Sequence, residues 1–136
     1  MPFIRITVFG PALTVQQVTH LQRGTTDLMT SGMRKPIDGT SVVVEQIGHG
    51  GWSIAGEPVS LAAQVDAVIG KGTNSRAEKA EFMADMMALL RTVLGPALRD
   101  ETYIVIHEID PASYGRGGLT RAQRDLGPPQ TLQFLL

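Results

Sequence analysis

The chain repeats itself. Thr40-Ser41-Val42-Val43-Val44-Glu45-Gln46-Ile47 leads into Trp52-Ser53-Ile54-Ala55-Gly56, and Thr102-Tyr103-Ile104-Val105-Ile106-His107-Glu108-Ile109 leads into Tyr114-Gly115-Arg116-Gly117-Gly118. Residues 40 and 102 are 62 positions apart, and so are residues 52 and 114. In the same register Gly10 falls on Gly72, Leu28 on Leu90 and Thr30 on Thr92. The chain of 136 residues therefore reads as two copies of one unit, over 1–58 and 60–122, with 123–136 left as a tail. Two copies are too few for a solenoid, which needs at least about three repeats. The two units must complete one shared layer.

Each unit has the same local grammar. Phe3 to Phe9 and Ala62 to Ile69 read as strands, closed by Gly10-Pro11 and by Gly70-Lys71-Gly72. Ser75-Arg76-Ala77-Glu78 is a capping box that opens a helix. Phe82, Met86, Leu89, Leu90 and Val93 follow on one helical face. An earlier helix is expected from Thr14, with Val15, Val18, Leu21, Leu28 and Met29 on its face. Gly24 weakens it by about 1 kcal/mol relative to alanine. Met83, Met86 and Met87 read as core filler. A β-branched strand and a glycine-containing hairpin close each unit.

A strand–helix–strand crossover within one sheet is almost always parallel and right-handed. Two such units joined edge to edge predict an α+β fold, a four-stranded mixed sheet with two helices on one face. Alternation sends Ile104 and Ile106 to one face of the sheet, and Tyr103, Val105 and His107 to the other. A largely apolar second face on so small a unit predicts burial by self-association.

Composition narrows the function classes. The net charge is −1, with no broad basic footprint for nucleic acid. No apolar run approaches the ~18 residues of a membrane span. The start lacks the pattern of a signal peptide, and the chain has no cysteine, so a cytoplasmic protein without disulfides is expected. His20, His49 and His107 show no metal-ligand spacing. Gly48-His49-Gly50-Gly51 runs from a strand into a hairpin rather than a helix, the wrong context for a phosphate loop. Pro2 has two readings: an edge-strand start that needs no N–H, or a working amino terminus once Met1 is removed.

Taken in order, these parts resemble the tautomerase superfamily: a proline after the initiator methionine, a βαβ unit of about sixty residues, and an aromatic–glycine hairpin at Trp52-Ser53-Ile54-Ala55-Gly56 and again at Tyr114-Gly115-Arg116-Gly117-Gly118. The duplication looks like the fused members, in which two 4-oxalocrotonate-tautomerase-like units share one chain. The resemblance covers about residues 2–122. It implies a homotrimer, no cofactor or metal, and a small carboxylate substrate, an enol or 2-keto acid. It also implies that Pro2 is the catalytic acid–base. A free α-amino group titrates near ~7.7–8.0, and burial beside cations would lower that toward neutrality.

The chain departs from the family pattern where arginines are usual. Pro11 or Ala12, Ser41, Thr73 and Tyr103 occupy those places. Arg116 and then Arg76 are the expected replacements for binding the carboxylate. Trp52 and Tyr114 are the expected pocket walls, and Tyr103 is a further candidate contact. Ser113 stands where hydrating relatives carry a carboxylate, which favours a tautomerase. Asp38 lies near the acidic position of decarboxylating relatives. Two alternatives stay open: a lyase, hydratase or decarboxylase on the same fold, and a non-catalytic oligomer of tautomerase-like shape. The tail over 123–136 is expected to pack on a neighbouring subunit.

Overall fold

A computed structural model describes residues 1–127, so the expectation for the tail falls mostly on residues outside the described ones, 128–136. The first half runs β1 (Phe3–Phe9), α1 (Val15–Ser31) and β2 (Ser41–Ile47), then a hairpin of β3 (Ser53–Ile54) and β4 (Glu57–Pro58). The second half runs β5 (Ala62–Gly70), α2 (Arg76–Leu94) and β6 (Tyr103–Ile109), then a hairpin of β7 (Gly115–Arg116) and β8 (Leu119–Thr120). A short helix, α3 (Arg121–Asp125), follows. The four long strands form one mixed sheet in the order β2-β1-β5-β6. β1–β2 and β5–β6 are parallel, and β1–β5 at the centre is antiparallel. This is the mixed α+β sheet read from the repeat. Among the described residues no helix is long and apolar enough to cross a membrane.

Local chemistry explains where the helices start. Thr14 caps α1 with a full capping box: its Oγ1 accepts from Gln17 N at 3.1 Å, and Gln17 Oε1 accepts from Thr14 N at 2.8 Å. Ser75 and Glu78 do the same for α2. Both helices pack on one sheet face. Ile4, Ile6 and Val8 of β1 and Val65, Ala67 and Ile69 of β5 are buried against Leu21, Met29, Phe82, Met86 and Leu90. Gly24 has a packing reason. A Cβ there would come within 2.8 Å of Leu89, so its absence lets α1 approach α2.

The structure corrects several expectations. Val15 is 80% exposed rather than on the inner face of α1, because it begins the first turn, beyond the sheet. Met83 is exposed, whereas Met86 is buried and Met87 packs at the core edge. Thr25 is fully buried, its hydroxyl 3.6 Å from Met86 Sδ.

The single 62-residue register also fails over the first part of each unit. The buried positions Leu21, Thr25 and Met29 of α1 answer to Phe82, Met86 and Leu90 of α2, a spacing of 61. The strand registers agree, because Phe3 pairs with Ser41 and Gln64 with Tyr103. The second half thus holds one extra residue between helix and last strand. Gly10/Gly72, Leu28/Leu90 and Thr30/Thr92 are not structural equivalents, and the counterpart of Pro2 is buried Ala63 rather than Gln64.

The sheet face away from the helices is less apolar than expected. Arg5 of β1 pairs with Glu45 of β2 and lies over the Phe3 ring. His107 of β6 pairs with Asp66 of β5 at 2.8 Å. Half-buried Phe3, Phe9, Val43, Ile47, Val68, Val105 and Ile109 surround these charges.

Candidate functional site

The amino terminus lies at one end of the sheet. Pro2 is buried directly before β1, and its carbonyl accepts from Ser41 N at 3.0 Å, which ties it to the start of β2. Met1 lines a cavity of about 250 Å³ with Pro36, Tyr114, Arg116, Arg121, Arg124 and Asp125. It also lines a second cavity of about 140 Å³ with Lys35, Pro36, Thr73, Tyr114 and Arg121. Met1, Pro36, Tyr114 and Arg121 are common to both, so Met1 is part of the wall the two cavities share.

Three separate segments deliver the cations. Lys35 comes from the loop after α1. Its Nζ donates to Thr73 Oγ1 at 2.7 Å, and that hydroxyl donates to Gly70 O at 2.7 Å. The loop is fastened by Arg34, whose backbone is left-handed at φ +59°. Arg34 Nε and Nη2 donate to Glu78 at 2.7 and 3.1 Å, and Nη2 also donates to Thr73 O at 3.0 Å. The Arg34 hydrogen bond, helped by the Ser75 backbone N–H, pulls the Glu78 carboxyl down to about 2. Arg116 comes from β7. Arg121 and Arg124 come from α3, where Arg124 Nη2 donates to Arg116 O at 2.9 Å and Arg121 Nε donates to Asp125 at 2.8 Å.

These cations set the local potential. The terminal amine is held below its ordinary value, first by burial and then by Arg116, Arg121, Lys35 and Arg124. Lys35 is lowered as well, by burial and then by Arg34 and Arg121, with Glu78 opposing. Desolvation and like charge both disfavour the protonated form of an amine.

Tyr114 is placed by a glycine. Its hydroxyl packs against Gly70 at the end of β5, where a Cβ would lie 2.5 Å from the oxygen. Its carbonyl accepts from Arg121 N at 2.9 Å, closing the β7–β8 hairpin. In the first half Trp52 O accepts from Val59 N at 3.0 Å, the same bond 62 residues earlier.

Of the residues singled out in sequence, the structure brings Tyr114 and Arg116 to the amino terminus. Trp52, Arg76 and Tyr103 line neither cavity. Trp52 is half-buried beside the β3–β4 hairpin, and Arg76 is exposed at the first turn of α2. Tyr103 is 71% exposed at the start of β6, beside Met83 and Met87. Asp38 and Ser113 are also exposed and line neither Met1 cavity. Lys35, Arg121 and Arg124 were not singled out from the sequence. The available signal was density, because three of the chain's 12 basic residues fall between positions 116 and 124.

With this geometry in view, comparison with known proteins is informative. Residues 2–62 match the tautomerase enzyme family. No curated protein matches the chain in sequence. Solved structures match almost end to end. A wild-type fused 4-OT described as an asymmetric trimer has 19% identity and a TM-score of 0.75, over 93% of this chain and 99% of that one. Pt0534, solved after inactivation by 2-oxo-3-pentynoate, has 13% identity and a TM-score of 0.78, over 88% and 97%. A macrophage migration inhibitory factor-like protein from Entamoeba histolytica has 16% identity and a TM-score of 0.73, over 88% and 97%. The chain has the fold of these structures, with two βαβ units in one four-stranded sheet. The resemblance read from the sequence holds, and the family's sequence pattern is carried by residues 2–62.

Proposed function

We propose that this chain is a tautomerase that moves a proton on a small enol or 2-keto carboxylic acid, with the Pro2 amine as general acid–base once Met1 is removed. One observation carries the reading: Lys35, Arg116, Arg121 and Arg124 converge from three segments on the amino terminus and hold its amine below the ordinary value. The sheet fold is also that of fused 4-OT structures. Removal of Met1 shifts the terminal amine one residue inward, to a ring nitrogen at the buried start of β1, and joins the two cavities over it.

The chemistry follows from charge. A neutral secondary amine accepts a proton from the hydroxyl of an enol acid, or from the carbon beside the carbonyl of a keto acid, and the resulting ammonium returns it to another atom of the same conjugated system. General acid–base transfer of this kind contributes about 10²–10⁴-fold. The arginines hold the carboxylate, for which the planar guanidinium offers two parallel donors. They also favour the enolate that develops during transfer. Tyr114 walls the cavity. The chain works as a homotrimer of fused units, like the symmetric and asymmetric trimers of the fused 4-OT structures.

Two further readings each have one observation behind them. Asp125 brings a carboxylate to the cavity wall, which suits activation of water in a hydratase or lyase. Met1 itself lines both cavities, which suits a non-catalytic binding protein if it is retained. Intact mass and activity separate them. The tautomerase reading expects loss of Met1, turnover of phenylenolpyruvate, and a drop of about 100-fold or more in Pro2→Ala. Turnover of 3-haloacrylates but not of enol acids would favour the hydratase. Equal activity of variant and wild type on every substrate would sink the amine mechanism.

A further inference from the structure

The lysines of this chain are Lys35, Lys71 and Lys79, and each has a different setting. Lys71 is exposed in the turn after β5. Lys79 is paired with Glu108 at 2.8 Å. Lys35 is half-buried in the wall of the smaller Met1 cavity and forms no ion pair among the described residues. Its Nζ donates to a neutral acceptor, Thr73 Oγ1, at 2.7 Å, and that hydroxyl is itself fixed by donating to Gly70 O. The Glu78 carboxylate that could neutralise Lys35 is taken up by Nε and Nη2 of Arg34.

This setting suits an amine better than a cation. A lysine with water or a carboxylate around it stays an ammonium and has no lone pair to offer. Burial and neighbouring guanidinium groups favour the neutral amine, which is a nucleophile. Lys35 has both, since burial, Arg34 and Arg121 all act to lower it. Positive charge is already supplied to the adjoining cavity by Arg116, Arg121 and Arg124, and guanidinium groups hold a carboxylate better than an ammonium does. The position is also a built one. Arg34 is held left-handed at φ +59° and bonded to Glu78 and Thr73 O, and the rigid ring of Pro36 follows Lys35.

We propose that Lys35 captures the carbonyl of a 2-keto acid as a Schiff base while the arginines of the shared cavity hold its carboxylate. The neutral Nζ attacks the carbonyl carbon and a C–N bond forms. The carbonyl oxygen takes up two protons and leaves as water, and a protonated imine remains. That imine draws electron density from the next carbon and makes its hydrogens acidic. Hydrolysis returns the water, releases the keto acid and restores Lys35. The assignment rests on the reading of the cavity as a keto-acid site, but on neither the removal of Met1 nor the proline mechanism.

The test is reductive trapping of the full chain with pyruvate and cyanoborohydride near neutral pH, followed by peptide mapping. Reduction fixes the imine as a carboxyethyl group on the nitrogen that formed it. Lys35 is expected to be labelled about tenfold or more faster than exposed Lys71, because a held carbonyl meets a held amine. Labelling of Lys35 should saturate with pyruvate, whereas that of Lys71 should rise linearly. Lys35→Arg keeps the charge and a donor for Thr73 but cannot form the imine, so the chain loses its saturable label. Label on the amino terminus alone, label on Lys35 no faster than on Lys71 or without saturation, or no label at all overturns the proposal. The mapping needs only the wild type, so a variant that fails to fold does not weaken it. Phenylenolpyruvate turnover without label on Lys35 would sink the Schiff base and leave the tautomerase reading standing. Saturable label without turnover would do the reverse.

Discussion

Gly70 and Arg116 show how single residues define the site. Gly70 gives the Tyr114 hydroxyl its place, and an added methyl would stand 2.5 Å from that oxygen. Gly70→Ala is expected to cost about 1–3 kcal/mol as an overpacking change, read by denaturant unfolding. It also swings Tyr114 out of the cavity, so a drop in Tyr114 protection from solvent quenching accompanies it. Unchanged stability would mean that the ring is not seated on β5. Arg116 is the first of the charges that lower the terminal amine. Arg116→Gln should move the titration of that amine upward and raise KM for a carboxylate substrate about tenfold or more, because a charge-assisted hydrogen bond is lost. An unmoved titration would place Arg116 outside the field of the amine. Arginine at position 116 was legible from its place in the repeated hairpin. Lys35 was not, because it reaches the site through a left-handed Arg34 and a bond to Thr73, neither of which has a periodic signature.

The α1–β2 loop and the first turn of α2 depend on each other. Glu78 closes the capping box with Ser75 and also receives Arg34 from the loop that carries Lys35. Its carboxyl is lowered in the folded chain from 4.5 to about 2. A depressed acid adds stability above its unfolded value, and that stability is lost as pH falls through the folded value. Thermal midpoints of the wild type should therefore fall between about pH 4.5 and 2. Glu78→Gln should start lower near neutrality and lose less over that interval. A parallel decline in both would show that the pair contributes nothing. Ser75→Ala isolates the cap and is expected to cost about 1 kcal/mol, measured by urea unfolding. Elements were the most readable level of this sequence, because the Ser75 capping box and the 3.6-residue faces are local, although the first face was read one turn too far, to exposed Val15. The one-residue slip between 61 and 62 was not readable, since it sits where the chain leaves α2 and no motif marks it. It reassigns the partner of Pro2 from Gln64 to Ala63.

Across the fold, the repeat explains why the architecture was legible and the site only in part. Two βαβ copies have few ways to share a sheet, and the order β2-β1-β5-β6 is one of them. The site breaks the symmetry of the repeat: one half supplies the amino terminus and Lys35, the other supplies Tyr114 and the arginines. Trp52, at the position equivalent to Tyr114, has no amine to wall, since Ala63 is internal to the chain. The functional reading depends on a proline amine at work inside this cationic cavity. Nitrogen-15 NMR titration of the proline-labelled chain observes that amine itself. The expected result is a free terminal proline amine, with Met1 gone, titrating below the ~7.7–8.0 of an ordinary α-amino group and moving up in Arg116→Gln. A Pro2 nitrogen still in amide linkage to Met1, or a terminal amine that titrates at or above the ordinary value, would overturn the reading.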